Sequence, residues 1–132
     1  MSRWSAQLLV FTTSAAVLVV EILAGRLMAP YVGVSIDTFT GIIGTILAGI
    51  ALGNWVGGLL ADRMAPERLI GPAITAGGVL CLTSLPIVSA AGPGSSSGSA
   101  SIVALAFVAF FAPAAALSAV SPMAAKISVK DL

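Results

Sequence analysis

The stretch "GIIGTILAGIALGNWVGGLLADR", Gly41 to Arg63, is an apolar run with almost no charge until it stops at Asp62-Arg63. It is long enough to cross a bilayer as an α-helix, which takes roughly 20 apolar residues. Counting by fours through it gives Gly41, Thr45, Gly49, Gly53, Gly57 and Ala61, an unbroken row of small residues. In lipid, apolar burial gives helices no drive to associate, and small residues let two backbones approach closely enough to gain van der Waals contact. The segment therefore reads as a packing spine. Each step of four advances about 40° around an ideal helix, so the row winds through about 200°. A central helix that meets more than one neighbour is expected, unless the helices cross.

The rest of the chain has the same character. Of its 132 residues 58% are hydrophobic and 8% charged, with a mean hydropathy of +1.11, whereas soluble domains carry about 25% charged residues. Four apolar runs are bounded by charge, proline or loop composition, at about 4–30, 38–61, 68–91 and 101–124. They predict an all-α, polytopic membrane protein with a single transmembrane domain over residues 1–132 and no soluble domain. The first run follows Arg3, but it contains Glu21 and Arg26 and lacks a small-x-small cleavage site, so it reads as a spanning helix rather than a cleaved leader.

Composition also excludes several functions. The six Lys and Arg are scattered and form no basic stripe for nucleic acid. The chain has no histidine, the commonest general base and metal ligand, and its single cysteine, Cys81, reads as a small packing residue. No catalytic residue, metal site or cofactor motif is expected. "GSSSG", Gly94 to Gly98, formally matches a serine-hydrolase elbow but has neither the strand-turn-helix context nor a histidine partner, so it reads as a flexible connector.

Charge placement predicts orientation, because short loops rich in Lys and Arg stay cytoplasmic. Arg3, Arg63, Arg68, Lys126 and Lys130 fall at one side of a four-span chain, while "YVGVSID" and "AAGPGSSSGSAS" on the other carry no basic residue. Both termini are expected in the cytoplasm.

Glu21 is the most informative polar residue, since a carboxylate within a spanning helix is costly and usually faces protein or water. With the first helix centred near Val17, it lies about 6 Å to the outer side of the midplane, level with Thr45, Thr83 and Ser84. Those four residues define a candidate intramembrane polar site, with Ser14 and Gly25 on the Glu21 face. One reading makes Glu21 a proton- or cation-binding group, and the other a structural carboxyl bonded to a neighbouring helix. Asn54, about 7 Å to the inner side, reads as an interhelical hydrogen-bonding residue. Arg26 is expected to snorkel or to pair with Asp37 across the first loop. Pro72, Pro86 and Pro113 lie inside the third and fourth helices, where each removes a backbone hydrogen bond.

Two stretches resemble known families. "GGLLADRMAPERL", Gly57 to Leu69, resembles the loop between helices two and three of major facilitator transporters through Gly58, Leu60, Ala61, Asp62 and Arg63. The glycine and basic pair of that pattern are replaced by Ala65, Pro66 and Glu67, so its gating role is not carried over. The segment from Val20 to Arg63 looks like the start of the membrane region of the spermidine synthase-like membrane proteins, in which a major facilitator-like transporter is fused to a spermidine synthase. Glu21, Arg26, Leu27, Ala29, Pro30, Tyr31 and Gly33 match its opening motif, and "SPMAAK", Ser121 to Lys126, resembles its later Ser-Pro segment. The resemblance implies a partial major facilitator-like bundle in a bacterial inner membrane, connected with polyamines. Its aminopropyltransferase-like domain has no counterpart in this sequence, so the chain is not expected to be an enzyme.

The leading expectation is thus a non-catalytic scaffold or partial transport unit that works with partner helices or a soluble aminopropyltransferase-like subunit. The alternative is a small dimeric antiporter exchanging protons for a cationic substrate at Glu21. Expected partners are the lipid bilayer and either a second copy or a membrane or enzyme subunit.

Overall fold

The computed structural model describes residues 3–92 and 98–130, so the "GSSSG" connector lies outside the described residues except for Gly98. The described residues are helical, with four helices among them long and apolar enough to cross a membrane. They are α1 (Arg3–Val32), α2 (Ile36–Arg63), α3 (Pro66–Ala90) and a composite fourth span over residues 99–130. That span comprises α4 (Ser99–Ala106), a π-helical turn (Phe107–Phe111), α5 (Ala112–Ser118) and α6 (Val120–Lys130).

Local sequence accounts for the ends. The chain leaves α1 at Gly33, whose φ of 79° falls in the left-handed region that glycine tolerates. Ser35 then caps α2, its hydroxyl oxygen accepting from the Thr38 backbone N–H at 3.1 Å. Asp37 sits in the first turn and Arg63 in the last, each complementing the helix dipole. Pro66 opens α3, where a missing N–H costs nothing.

The fourth span is longer than its apolar run predicts, and it is interrupted twice. Pro113 has no N–H for the Ala109 carbonyl, and Pro122 has none for Ser118. The π-helical turn ends two residues before Pro113, and α5 gives way to α6 at Ala119, three residues before Pro122. The Phe107 and Phe111 rings stack across the π turn at 4.3 Å.

This interrupted span is the centre of the bundle. The helices α1, α2 and α3 all pack on it, while α2 and α3 scarcely meet. The expectation of a central α2 is therefore corrected. Gly41 faces Val103, Gly49 faces Phe111 and Ala114, Gly53 faces Ala115 and Ser118, and Gly57 faces Ala119. Both series ascend together, so α2 and the fourth span run parallel. An i+4 row on α2 lies along another formed by Val103, Phe111, Ala115 and Ala119, and crossing of such ridges absorbs the winding of the row. One neighbour, rather than several, takes the whole row.

The fit leaves no room for side chains. A Cβ at Gly49 would lie 2.7 Å from the Phe111 carbonyl oxygen. At Gly53 it would meet the Ala115 carbonyl and the Ser118 hydroxyl, and at Gly57 the backbone of Ala119. Around this seam the fully buried Phe110, Met28, Ile42, Ile46 and Val88 form the main apolar cluster.

Gly53→Val is expected to destabilise the bundle by about 1–3 kcal/mol, the usual cost of overpacking. Gly58→Ala, with nothing within 4 Å of the added Cβ, should be neutral or stabilising by up to about 1 kcal/mol. Unfolding midpoints of purified protein in mixed SDS micelles decide the matter: equal effects of the two substitutions would refute the seam.

Candidate intramembrane polar site

The first helix buries one stripe against the bundle, with Leu9, Ala16, Val20, Leu27 and Tyr31 packed half-buried along one side of it. Its buried residues are Ala6, Thr13, Val17, Ala24 and Met28, alternating steps of seven and four that keep to one side of a helix. Ser14, Glu21 and Gly25 flank that stripe; Glu21 is turned only about 40° from Val17. Three hollows follow this flank.

The outer hollow, named for its place at the end of the bundle that bears the α1–α2 connection, is a groove of about 540 Å³ between α1 and α2, reaching from Leu18 to that connection at Gly33 and Val34. Glu21 and Arg26 line it from α1, and Thr38, Phe39, Ile42 and Ile43 from α2. Phe39 closes over Gly25, where a Cβ would stand 3.3 Å from the ring. Glu21 is half-buried and Arg26 exposed. Neither makes a hydrogen bond or ion pair with a described residue.

The middle hollow, about 170 Å³, is the more polar. Thr13 and Ser14 of α1, Asn54 of α2, and Ser118 and Ser121 of the fourth span line it, with Val17 and Ile50 as apolar wall. Thr13 donates to the Leu9 carbonyl at 2.9 Å, and Ser118 donates to the Ala115 and Ile50 carbonyls at 3.2 and 3.3 Å. A hydroxyl that gives its proton to a carbonyl keeps lone pairs able to accept. Asn54 is exposed and makes no hydrogen bond with a described residue; the expected interhelical bond is replaced by a place in this cavity. The inner hollow, about 590 Å³, is lined by Gln7, Ser14 and Ser128 among apolar residues. Ser14 belongs to both the middle and the inner hollow.

The expected layer of Glu21, Thr45, Thr83 and Ser84 does not assemble. Thr45 is buried, but it borders a separate groove with Asp37, Thr40 and Gly44. Thr83 is exposed and donates to the Leu80 carbonyl at 2.8 Å, while Ser84 is buried and donates to Cys81. Height along a helix was enough to put these residues level, but rotation of about 100° per residue decides what each one faces. The expected Arg26–Asp37 pair is likewise absent, because the two residues line different grooves. Thr13, Ser118 and Ser121 escaped the sequence reading. Their signal was the proximity of Ser118 and Ser121 to the helix break that Pro122 imposes.

At the end of the bundle where α2 stops, the two resembling stretches meet. Lys126 of "SPMAAK" donates to the Asp62 carboxylate and to the Ala61 carbonyl, both at 2.7 Å. Its ammonium thus sits on the C-terminal carbonyls of α2, where a cation is favoured. Gly58 faces open space, and Arg63 is exposed. Among the described residues no group of three His, Cys, Asp or Glu side chains is placed to hold a metal.

No protein-family model, curated protein or solved structure matches the chain.

Because the Asp62 side chain is 74% exposed and that of Lys126 32%, the ion pair itself is worth at most about 1 kcal/mol. The charged bond to the Ala61 carbonyl is worth more, about 1.5–3 kcal/mol. Lys126→Met should therefore lower the micellar unfolding midpoint more than Asp62→Asn; equal losses would place the stabilisation in the ion pair.

Proposed function

We propose that this chain is a non-catalytic membrane module, a scaffold or partial transport unit that works with partner helices or with a soluble aminopropyltransferase-like subunit. The observation that carries this reading is the α1–α2 face. Glu21 lines an open groove there and Asn54 is exposed beside the middle hollow, and neither has a partner among the described residues. Ionisable and amide groups at membrane depth are costly against lipid and face protein or water instead. A bundle that leaves both outward is complete only when another surface covers that side.

The resemblance to the N-terminal membrane region of the spermidine synthase-like membrane proteins names the class of partner. In such an arrangement the bundle is part of a larger major facilitator-like assembly in a bacterial inner membrane. The end carrying Arg63, Arg68 and Lys126 faces the cytoplasm by the rule that keeps basic loops inside, and a soluble subunit would be met there. Polyamine chemistry then belongs to the partner.

A second reading has its own support. The groove beside Glu21 has room for an organic cation, and its carboxylate is not committed to any described residue. That fits a small dimeric antiporter exchanging protons for a cationic substrate.

Native mass spectrometry of the tagged chain, purified from its own membranes in mild detergent, separates these readings. A complex with an aminopropyltransferase-like or multi-helix subunit is the expected result. A homodimer alone would favour the antiporter, and a stable monomer without partners would overturn both.

A further inference from the structure

We infer that α1 carries a proton path through the bundle, in which Glu21 is reached from one membrane face through the outer groove and from the other through the Ser14 cavity, with a plug of Val17, Ile46 and Ile50 between. The inference deepens the transport reading of Glu21 and needs nothing from the family resemblance.

The hollows supply the route. The inner groove is lined at one end by Gln7 and Ser128, and Ser14 stands between it and the middle cavity, lining both. The middle cavity, about 170 Å³, has room for about five waters at some 30 Å³ each, and its hydroxyls and amide give those waters the partners that a stable buried site requires. Beyond it the polar lining stops. Val17 and Ile46 are buried and Ile50 is packed against the same apolar cluster. From Val17 to Glu21 is four residues, about 6 Å along the helix. On the far side the outer groove runs from Glu21 to the α1–α2 connection. One apolar turn is all that separates the polar middle hollow from the carboxylate.

Such a constriction gates by dewetting. When the plug parts, a proton passes from water in the middle cavity to a Glu21 carboxylate oxygen; when it closes, the proton leaves to water in the outer groove. Nothing else is consumed. Arg26 is the other charged group lining that groove, and α2 contributes no charged side chain to it. Few residues of α1 are fully buried, as in α3, and regions with few buried contacts open at least cost, so α1 is able to shift.

The test uses the full chain in liposomes containing a pH-sensitive dye, under an imposed pH gradient. The unaltered chain should relax the gradient slowly, and the double variant Val17→Ala/Ile50→Ala about tenfold faster, as removal of a hydrophobic constriction allows. Adding Glu21→Gln should return the rate to that of the unaltered chain. A leak that survives Glu21→Gln, or no leak from a double variant that elutes as folded protein, overturns the path. A second measurement covers variants that fail to fold. With Cys81→Ala, Ser14→Cys should react with a small charged thiol reagent applied from the side bearing the termini, and lack of reaction overturns the inner half. Cation-driven proton movement by the unaltered chain tests the antiport reading separately. If that movement is present and the double variant is tight, the path is wrong and the reading stands.

Discussion

The backbone of α2 lies against the backbone of the fourth span, and the rest of the bundle depends on that approach. Gly49, Gly53 and Gly57 present no side chain to Phe111, Ala115 and Ala119, whose carbonyls occupy the space a Cβ would need. In water such a seam would add to hydrophobic burial; in lipid it replaces it, because only close packing and interhelical polar contacts distinguish a neighbouring helix from the surrounding chains. The bond from Ser118 to the Ile50 carbonyl is one such contact and crosses the same seam. At its end Lys126 joins α6 to the last carbonyls of α2. Once α2 and the fourth span are paired, α3 docks through Gly77 against Leu117, and α1 has only one remaining side to occupy.

That order explains why the polar residues gather along α1. A helix held by a stripe of Ala6, Thr13, Val17, Ala24 and Met28 cannot close both of its flanks against the bundle. On the open flank stand Ser14 and Glu21, and Asn54 lines the middle hollow with Ser14. The fourth span contributes at the place where it is least regular. Ser118 and Ser121 bracket the step between α5 and α6, and backbone that departs from regular helix is tolerated at membrane depth where it is buried in protein or lines a cavity. The break and the polar cavity thus belong to one feature.

The four spans and the small-residue row were legible because both depend on residue type and spacing alone. Twenty apolar residues between charges have few alternatives in structure, and a glycine every fourth position has an obvious use. The identity of the central helix was not legible. Ala106, Ala109, Ala114, Ala119 and Ala124 form much of the buried surface of the fourth span, yet alanine is also what an ordinary lipid-facing helix contains. The polar layer failed for a related reason. Thr83 and Ser84 are adjacent and therefore equal in depth, but one is exposed and the other buried. Depth follows from counting, whereas facing follows from partners that a single sequence does not name.

The same distinction governs what Glu21 is for. A structural carboxyl in a spanning helix earns its place by bonding across to another helix, and the described residues around Glu21 offer mainly methyl groups, an aromatic edge and Arg26. The nearest polar cluster lies on the other side of Val17, and its hydroxyls donate to carbonyls of α1, of the fourth span and, at Ile50, of α2. Glu21 is therefore not needed to satisfy Thr13 or Ser118, and they do not satisfy it. With no partner among the described residues, the Glu21 carboxyl faces the groove that it lines. Arg26, lining the same groove without an ion pair to Asp37, points the same way.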